Sequence, residues 1–165
     1  MRVLFILLAI IGALAVSAQN RVTTVILLRH AEKVTDGTKD PDLSDEGKKR
    51  AESLINIFSK TKIDAIYSTH FKRTESTVAQ LALAHQLSVQ NYEGGKPTEI
   101  DDIITKYQGG TVIICGHSNT TPALINYLTG HADEFKTFDD TDYGNLVIVT
   151  VLQKGKEASV TWLRY

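Results

Sequence analysis

The chain has 165 residues, 42% hydrophobic and 22% charged, with 18 basic against 19 acidic side chains and a formal net charge of -1. That is the mixture of one globular domain large enough to bury its own core, and nothing in the charge balance points to the basic face of a nucleic-acid binder. Cys115 is the only cysteine, so the fold has no internal disulfide to lean on, and its apolar setting reads as a core thiol.

Met1-Arg2 give a short positive start, Val3 to Val16 are almost entirely apolar, and Ser17-Ala18 follow. Val16 and Ala18 are small enough for the positions that signal peptidase reads, so residues 1–18 are expected to be a signal peptide cut before Gln19. The run falls short of the about 20 residues a spanning helix needs. The expectation is an exported protein, periplasmic or secreted, without stable membrane insertion after cleavage; an uncleaved anchor is the alternative. Residues 19–165 form the domain.

Val22 to Leu28 is β-branched and apolar without alternation, as in a strand buried on both faces, and it stops at Arg29-His30. A polar loop from Lys33 to Asp42 carries Asp36-Gly37 and Pro41 as turn signals. Ser44 caps a helix whose apolar stripe is Ala51, Leu54, Ile55 and Phe58. Ile63 to Tyr67 reads as a short strand, and Phe71 to His85 as a helix with Val78, Leu81 and Ala82 inward. A brief strand is expected near Ser88 to Gln90. Pro97 opens a helix to Tyr107, closed by Gly109-Gly110, with Glu99, Asp101 and Asp102 as its solvated acidic first turn. Thr111 to Cys115 is a second buried strand, Thr121 to Leu128 a helix ended by Gly130. Asn145 to Leu152 and Ala158 to Leu163 make an antiparallel pair through Lys154-Gly155-Lys156. The alternation predicts an α/β fold: a three-layer α/β/α sandwich, its central sheet mostly parallel with an antiparallel C-terminal pair.

Two strands end on histidine, at Leu28-Arg29-His30 and at Cys115-Gly116-His117. Ligands of open α/β sheets bind at the carboxyl ends of strands. If these strands are neighbours, both imidazoles share one crevice with Arg29. Arg73, in the first turn of the helix after Ser68-Thr69-His70, can point into it too. Two imidazoles and two guanidiniums need an anion, and guanidinium forks match phosphate oxygens. Neighbouring positive charge keeps a histidine neutral and nucleophilic. Taken singly, each feature has a plainer reading: Arg29 could pair with Glu32, and Gly116-His117-Ser118 could be only a turn. Arg29 and Arg73 argue against a zinc site at His30, Glu32 and His117. Gly94-Gly95-Lys96-Pro97 lacks the spacing of a phosphate-binding P-loop.

Four segments in order carry a resemblance. Leu28-Arg29-His30-Ala31-Glu32 resembles the Arg-His-Gly signature of the histidine phosphatase (phosphoglycerate mutase-like) superfamily. Leu43-Ser44-Asp45-Glu46-Gly47 resembles its Leu-Ser/Thr-x-x-Gly helix start. Tyr67-Ser68-Thr69 with Arg73 and Thr77 resembles its Ser-Ser-Pro-x-x-Arg-x-x-x-Thr segment, and Gly116-His117-Ser118-Asn119 its second-histidine motif. The resemblance implies that His30 is phosphorylated and that Arg29, Arg73 and His117 bind the phosphoryl group. Ser118 would add its backbone N–H. No metal or organic cofactor is implied. Ala31 replaces the usual Gly, and His70 the usual Pro, where it lines the pocket mouth or stands in solvent. The proton donor is open: Glu93 is the positional candidate and Glu32 the alternative. The expected activity is hydrolysis of a small phosphomonoester, such as a phosphosugar or envelope phosphate. The alternatives are a non-catalytic phosphate- or phosphoglycan-binding protein, a mutase, and a phosphohistidine-protein phosphatase.

Overall fold

The computed structural model describes residues 21–165, so the expected signal segment, residues 1–18, lies outside it. In chain order the elements are β1 (Thr23–Arg29), α1 (Asp45–Ile57), β2 (Ala65–Ser68), α2 (Lys72–Ala84), β3 (Val89–Asn91), a 3-10 turn (Pro97–Glu99), α3 (Ile100–Lys106), β4 (Thr111–Gly116), α4 (Thr120–Thr129), β5 (Asn145–Gln153) and β6 (Glu157–Arg164). They form one six-stranded sheet in the order β3-β2-β4-β1-β5-β6. The first four strands of that order run parallel; β5 is antiparallel to β1, and β6 to β5.

The continuous apolar runs explain the layering. In β1, Val25 and Leu27 face one core while Ile26 and Leu28 face the other. Ile100 and Ile103 of α3 and Leu124, Ile125 and Leu128 of α4 close the first core. Leu54 of α1 and Val78, Leu81 and Ala82 of α2 close the second, where Cys115 is fully buried. Side chains alternate across a strand, so a strand with helices on both sides must be apolar at every position. This is the expected three-layer sandwich.

The register sets the site. β1 and β4 are direct neighbours, Arg29 lies opposite Gly116, and the His30 N–H donates to the Gly116 carbonyl at 2.9 Å. Both histidine corners therefore leave the sheet at one level. The loop after His30 is locked to α1. Ser44 accepts from the Gly47 N–H at 3.1 Å as N-cap, and its own N–H donates to Glu32 O at 2.9 Å.

The segment after Pro97 differs from expectation. It starts as a 3-10 turn and only then becomes helix, and its acidic residues are not simply solvated. Glu99 Oε2 accepts the N–H groups of Glu93 and Gly94 at 2.9 and 3.3 Å. Asp101 takes Lys154 Nζ at 2.6 Å and the Tyr127 hydroxyl at 2.7 Å, joining α3, α4 and the β5–β6 hairpin. Of the three, only Asp102 stands free in solvent. A first-turn carboxylate complements the helix dipole, but here two of them also find fixed partners brought in by the chain's later course.

Gly47 carries a testable consequence. A Cβ there would lie 2.1 Å from the Glu32 carbonyl oxygen. Glycine to alanine inside a helix ordinarily stabilises by about 1 kcal/mol. Gly47→Ala is expected to have the opposite sign, destabilising by about 1–3 kcal/mol through backbone overpacking. A urea midpoint equal to or above that of the unsubstituted protein would refute the tight fit.

Candidate active site

His30 is 4% exposed at the end of β1, and its Nδ1 lies 2.8 Å from the Ala31 carbonyl oxygen. A carbonyl only accepts, so Nδ1 carries the hydrogen and the lone pair of the neutral ring sits on Nε2. The corner is stitched to α2: the Ala31 N–H donates to Thr77 Oγ1 at 3.0 Å, and that hydroxyl donates to Arg73 O at 2.7 Å. Ala31 is fully buried, its methyl packed in a small cluster with Leu43 and Ala51.

His117 faces His30 edge-on with ring centroids 5.5 Å apart. Its backbone N–H donates to Thr120 Oγ1 at 2.9 Å, its ring Nε2 lies 2.9 Å from Thr69 Oγ1, and Phe71 packs against the ring at 5.1 Å. Arg29 is 3% exposed. Its Nη1 donates to the carbonyls of Asp139 at 2.7 Å and Asp142 at 3.1 Å, and its guanidinium lies 4.2 Å above the Tyr143 ring. Arg73 reaches Asp40 only at 3.7 Å and lies over Phe71 at 4.5 Å. The four side chains singled out from the strand ends thus meet in one place.

The crevice is positive and partly buried. Arg29 Nε and Arg73 Nε are two of the three buried side-chain atoms without a hydrogen-bond partner among the described residues. A buried unmatched donor costs on the order of 1–3 kcal/mol, more when charged, so this arrangement favours an acceptor that bridges both. Burial chiefly, with Arg29, His117 and Arg73, brings the His30 pKa down to about 3 against the pull of its backbone bond. Burial, then Arg73 and Arg29, brings His117 down to about 4. The sequence points to charge as the cause, whereas desolvation is the larger effect.

The two acid candidates are placed differently. Glu32 turns away to Arg50, whose Nε lies 2.9 Å from both carboxylate oxygens and whose Nη2 lies 2.6 Å from Oε1. Burial works to raise the Glu32 pKa, but Arg50 overrides it and holds the group below its ordinary value. The plainer pairing of Arg29 with Glu32 is therefore not what forms. Glu93 is exposed on the loop after β3, lining a cavity of ≈470 Å³ with Tyr67, His70, Asn91, Tyr92, Glu99 and Ile103. The adjacent Gly94 packs so closely on Thr69 that a Cβ would lie 2.6 Å from its methyl group. Thr69 in turn holds His117, so the Glu93 loop stands one side chain from the crevice. His70 is solvent-exposed yet lines this cavity, its Nδ1 lying 3.0 Å from Asn91 Nδ2 and 3.1 Å from Glu75 Oε1. The Ser118 carbonyl accepts from Phe138 N–H at 3.0 Å, tying the second-histidine turn to the loop that carries Asp139 and Tyr143. Among the described residues, no three of His, Cys, Asp and Glu converge as a metal site needs.

Sequence reasoning missed Thr69 as a partner of His117, Phe71 and Tyr143 as ring walls, and the Asp139 and Asp142 carbonyls. A hydroxyl at the end of β2 was a visible signal. Carbonyl partners have none, because every residue type carries one.

A family model described as the histidine phosphatase superfamily (branch 1) matches residues 25–94. Phosphoserine phosphatase 1 of Hydrogenobacter thermophilus is 42% identical over 71 residues, which are 39% of this chain and 34% of that protein. The match therefore spans about a third of the curated relative's length. Among solved structures, the protein histidine phosphatase SixA complexed with tungstate has a TM-score of 0.70 at 17% identity, covering 86% of this chain and 96% of that one. A mycobacterial glucosyl-3-phosphoglycerate phosphatase has a TM-score of 0.69 at 13% identity, covering 88% and 99%. At these identities the structural likeness is one of fold.

Two neutral rings, His30 buried and His117 half-buried, make stability depend on pH. In the unfolded chain each takes a proton near its ordinary value of 6.5, in the fold only near 3 and 4. Stability is therefore expected to fall as pH drops from 6.5 toward 4.5, by up to about 1.4 kcal/mol per pH unit for each ring. Urea midpoints across that window should decline steeply, and less so in a His30→Asn, His117→Asn double variant. Equal slopes would contradict the assignment.

Proposed function

We propose that this chain, a member of the histidine phosphatase superfamily, hydrolyses a phosphomonoester through a covalent phosphohistidine on His30. One observation carries the reading: a neutral imidazole with its lone pair on Nε2 stands among two guanidiniums that each keep an unmatched buried N–H. Those donors suit the equatorial oxygens of a phosphoryl group. His30 Nε2 attacks phosphorus, the P–O ester bond breaks, and the leaving oxygen takes a proton from a general acid. Water then attacks the phosphorus of the phosphoramidate. The P–N bond breaks with its electron pair returning to Nε2, and phosphate departs. Splitting the displacement in two lowers each barrier.

Glu93 is the proton donor in this reading. Glu32, held ionised by Arg50, is poorly suited to give a proton. No step calls for a metal. The relatives' names speak of phosphoserine, a sugar phosphoglycerate and protein phosphohistidine, which supports a phosphoryl group as the common element rather than one alcohol. A small phosphorylated substrate fits a crevice of this kind.

With an aryl phosphate and chelator present, the protein is expected to release phosphate, and His30→Ala to lose at least about 1000-fold in rate. A quenched turnover should leave phosphate on the protein that survives alkali and is released by acid. Glu93→Gln should cost about 100-fold or more on an alkyl phosphate, much less on an aryl one whose leaving group needs no proton; Glu32→Gln should not reproduce that split. Full activity in His30→Ala ends the proposal.

The same reading takes Met1 to Ala18 as an export signal. N-terminal sequencing of protein recovered outside the cytoplasm should begin at Gln19; a start at Met1 in that fraction would favour an anchor.

A further inference from the structure

The hydroxyls beneath His117 favour one arrangement of hydrogens. Thr74 Oγ1 lies 2.8 Å from Thr69 O and 2.8 Å from Phe71 O, and carbonyl oxygens only accept. A threonine hydroxyl has one hydrogen, and the shorter contacts, to those two carbonyls, take it in preference to Thr69 Oγ1. Toward Thr69 Oγ1, 3.0 Å away, Thr74 can then only accept, so the single Thr69 hydrogen is spent on it. Toward His117 Nε2, 2.9 Å away, Thr69 in turn can only accept.

We infer that the Thr69–Thr74 pair fixes His117 as the Nε2–H tautomer, so that His117 meets a phosphoryl group through Nδ1 and donates to it only after taking up a proton there. Thr69 and Thr74 are positioning residues, acting through His117 without touching the reacting atoms. The arrangement is the mirror of His30, where a carbonyl claims Nδ1–H and leaves Nε2 bare. One ring is set as a nucleophile. The other keeps a basic nitrogen facing the same anion, because its second nitrogen is committed to Thr69.

The charged groups around His117 fit this use. Arg73 from α2 and Arg29 from β1 oppose its protonation, with the His30 ring alongside. A phosphoryl anion lying between the guanidiniums would cancel that opposition, and the proton would enter from water with the ligand. Thr69 as an obligate acceptor suits both the neutral ring and the imidazolium. The tautomer rests on the hydroxyl contacts; the use of Nδ1 on a phosphoryl group rests on the proposed phosphatase reading.

Long-range ¹⁵N–¹H NMR on protein labelled at histidine reads both parts. Without ligand at neutral pH, His117 is expected to show a protonated Nε2 and a bare Nδ1. Orthovanadate should convert Nδ1 to the protonated type. Thr74→Val frees the Thr69 hydrogen, which then points at Nε2, so that variant should show the opposite tautomer. Thr69→Val should lower kcat/KM by about 10- to 100-fold, the value of a hydrogen bond to a charged group, and Thr69→Ser should restore it. A protonated Nδ1 in the unliganded protein, or a tautomer unchanged in folded Thr74→Val, overturns the inference. A bare Nδ1 with vanadate bound overturns its second half. Should His30→Ala stay fully active while the tautomer is as stated, the phosphatase reading fails and the hydrogen count stands.

Discussion

The structure depends on keeping two guanidiniums and two imidazoles buried together without neutralising them by carboxylates. A buried charge costs free energy where a polar contact goes unmatched, and here Arg29 Nε and Arg73 Nε stay open where an adjacent Asp or Glu would have closed the crevice. This chain uses neutral oxygens instead. Arg29 is held by the carbonyls of Asp139 and Asp142, while the Asp142 carboxylate turns to Arg164 and Asn145. Glu32 is drawn off by Arg50, and Asp40 approaches Arg73 only at 3.7 Å. The positive field therefore remains directed into the crevice.

The fold supplies the rigidity this requires. Desolvation can hold the two rings neutral only if they cannot swing out to water, and each is pinned from behind. His30 is tied by its own turn and through Ala31 to Thr77 on α2. His117 is tied by Thr120 at the start of α4 and by Thr69 at the end of β2. Those elements belong to opposite faces of the sheet, so packing on both sides converges on one pair of rings. The β1–β4 pairing transmits it, because a register slip of one residue would turn every side chain to the wrong face.

The loop from Phe138 to Gly144 closes the crevice from the side of the antiparallel strands. It joins the second-histidine turn at Ser118, presents two carbonyls to Arg29 and places the Tyr143 ring 5.8 Å from His30. The loop after β3 closes the other side, pinned by Glu99. The candidate site is thus a gap between two loops over a floor of strand ends, where His30 and His117 stand.

Much of that floor was legible in the chain itself. Unbroken apolar runs in β1 and β4 required helices on both faces, and runs that stop at Arg29-His30 and Gly116-His117 marked candidate functional ends, because periodicity and burial are local consequences of side-chain type. Strand adjacency was not legible: β4 pairs with β1 although β2 and β3 lie between them along the chain, and no local pattern encodes which neighbour a buried strand chooses. Nor was the fate of Glu32, since its partner Arg50 lies a helix away and looks like any surface cation until α1 docks. Residue chemistry named the four groups that can grip a tetrahedral anion. Only tertiary packing decided that Glu32 would be neutralised, that Asp101 would join three elements, and that Thr69 would sit under His117, because each depends on distances between segments far apart along the chain.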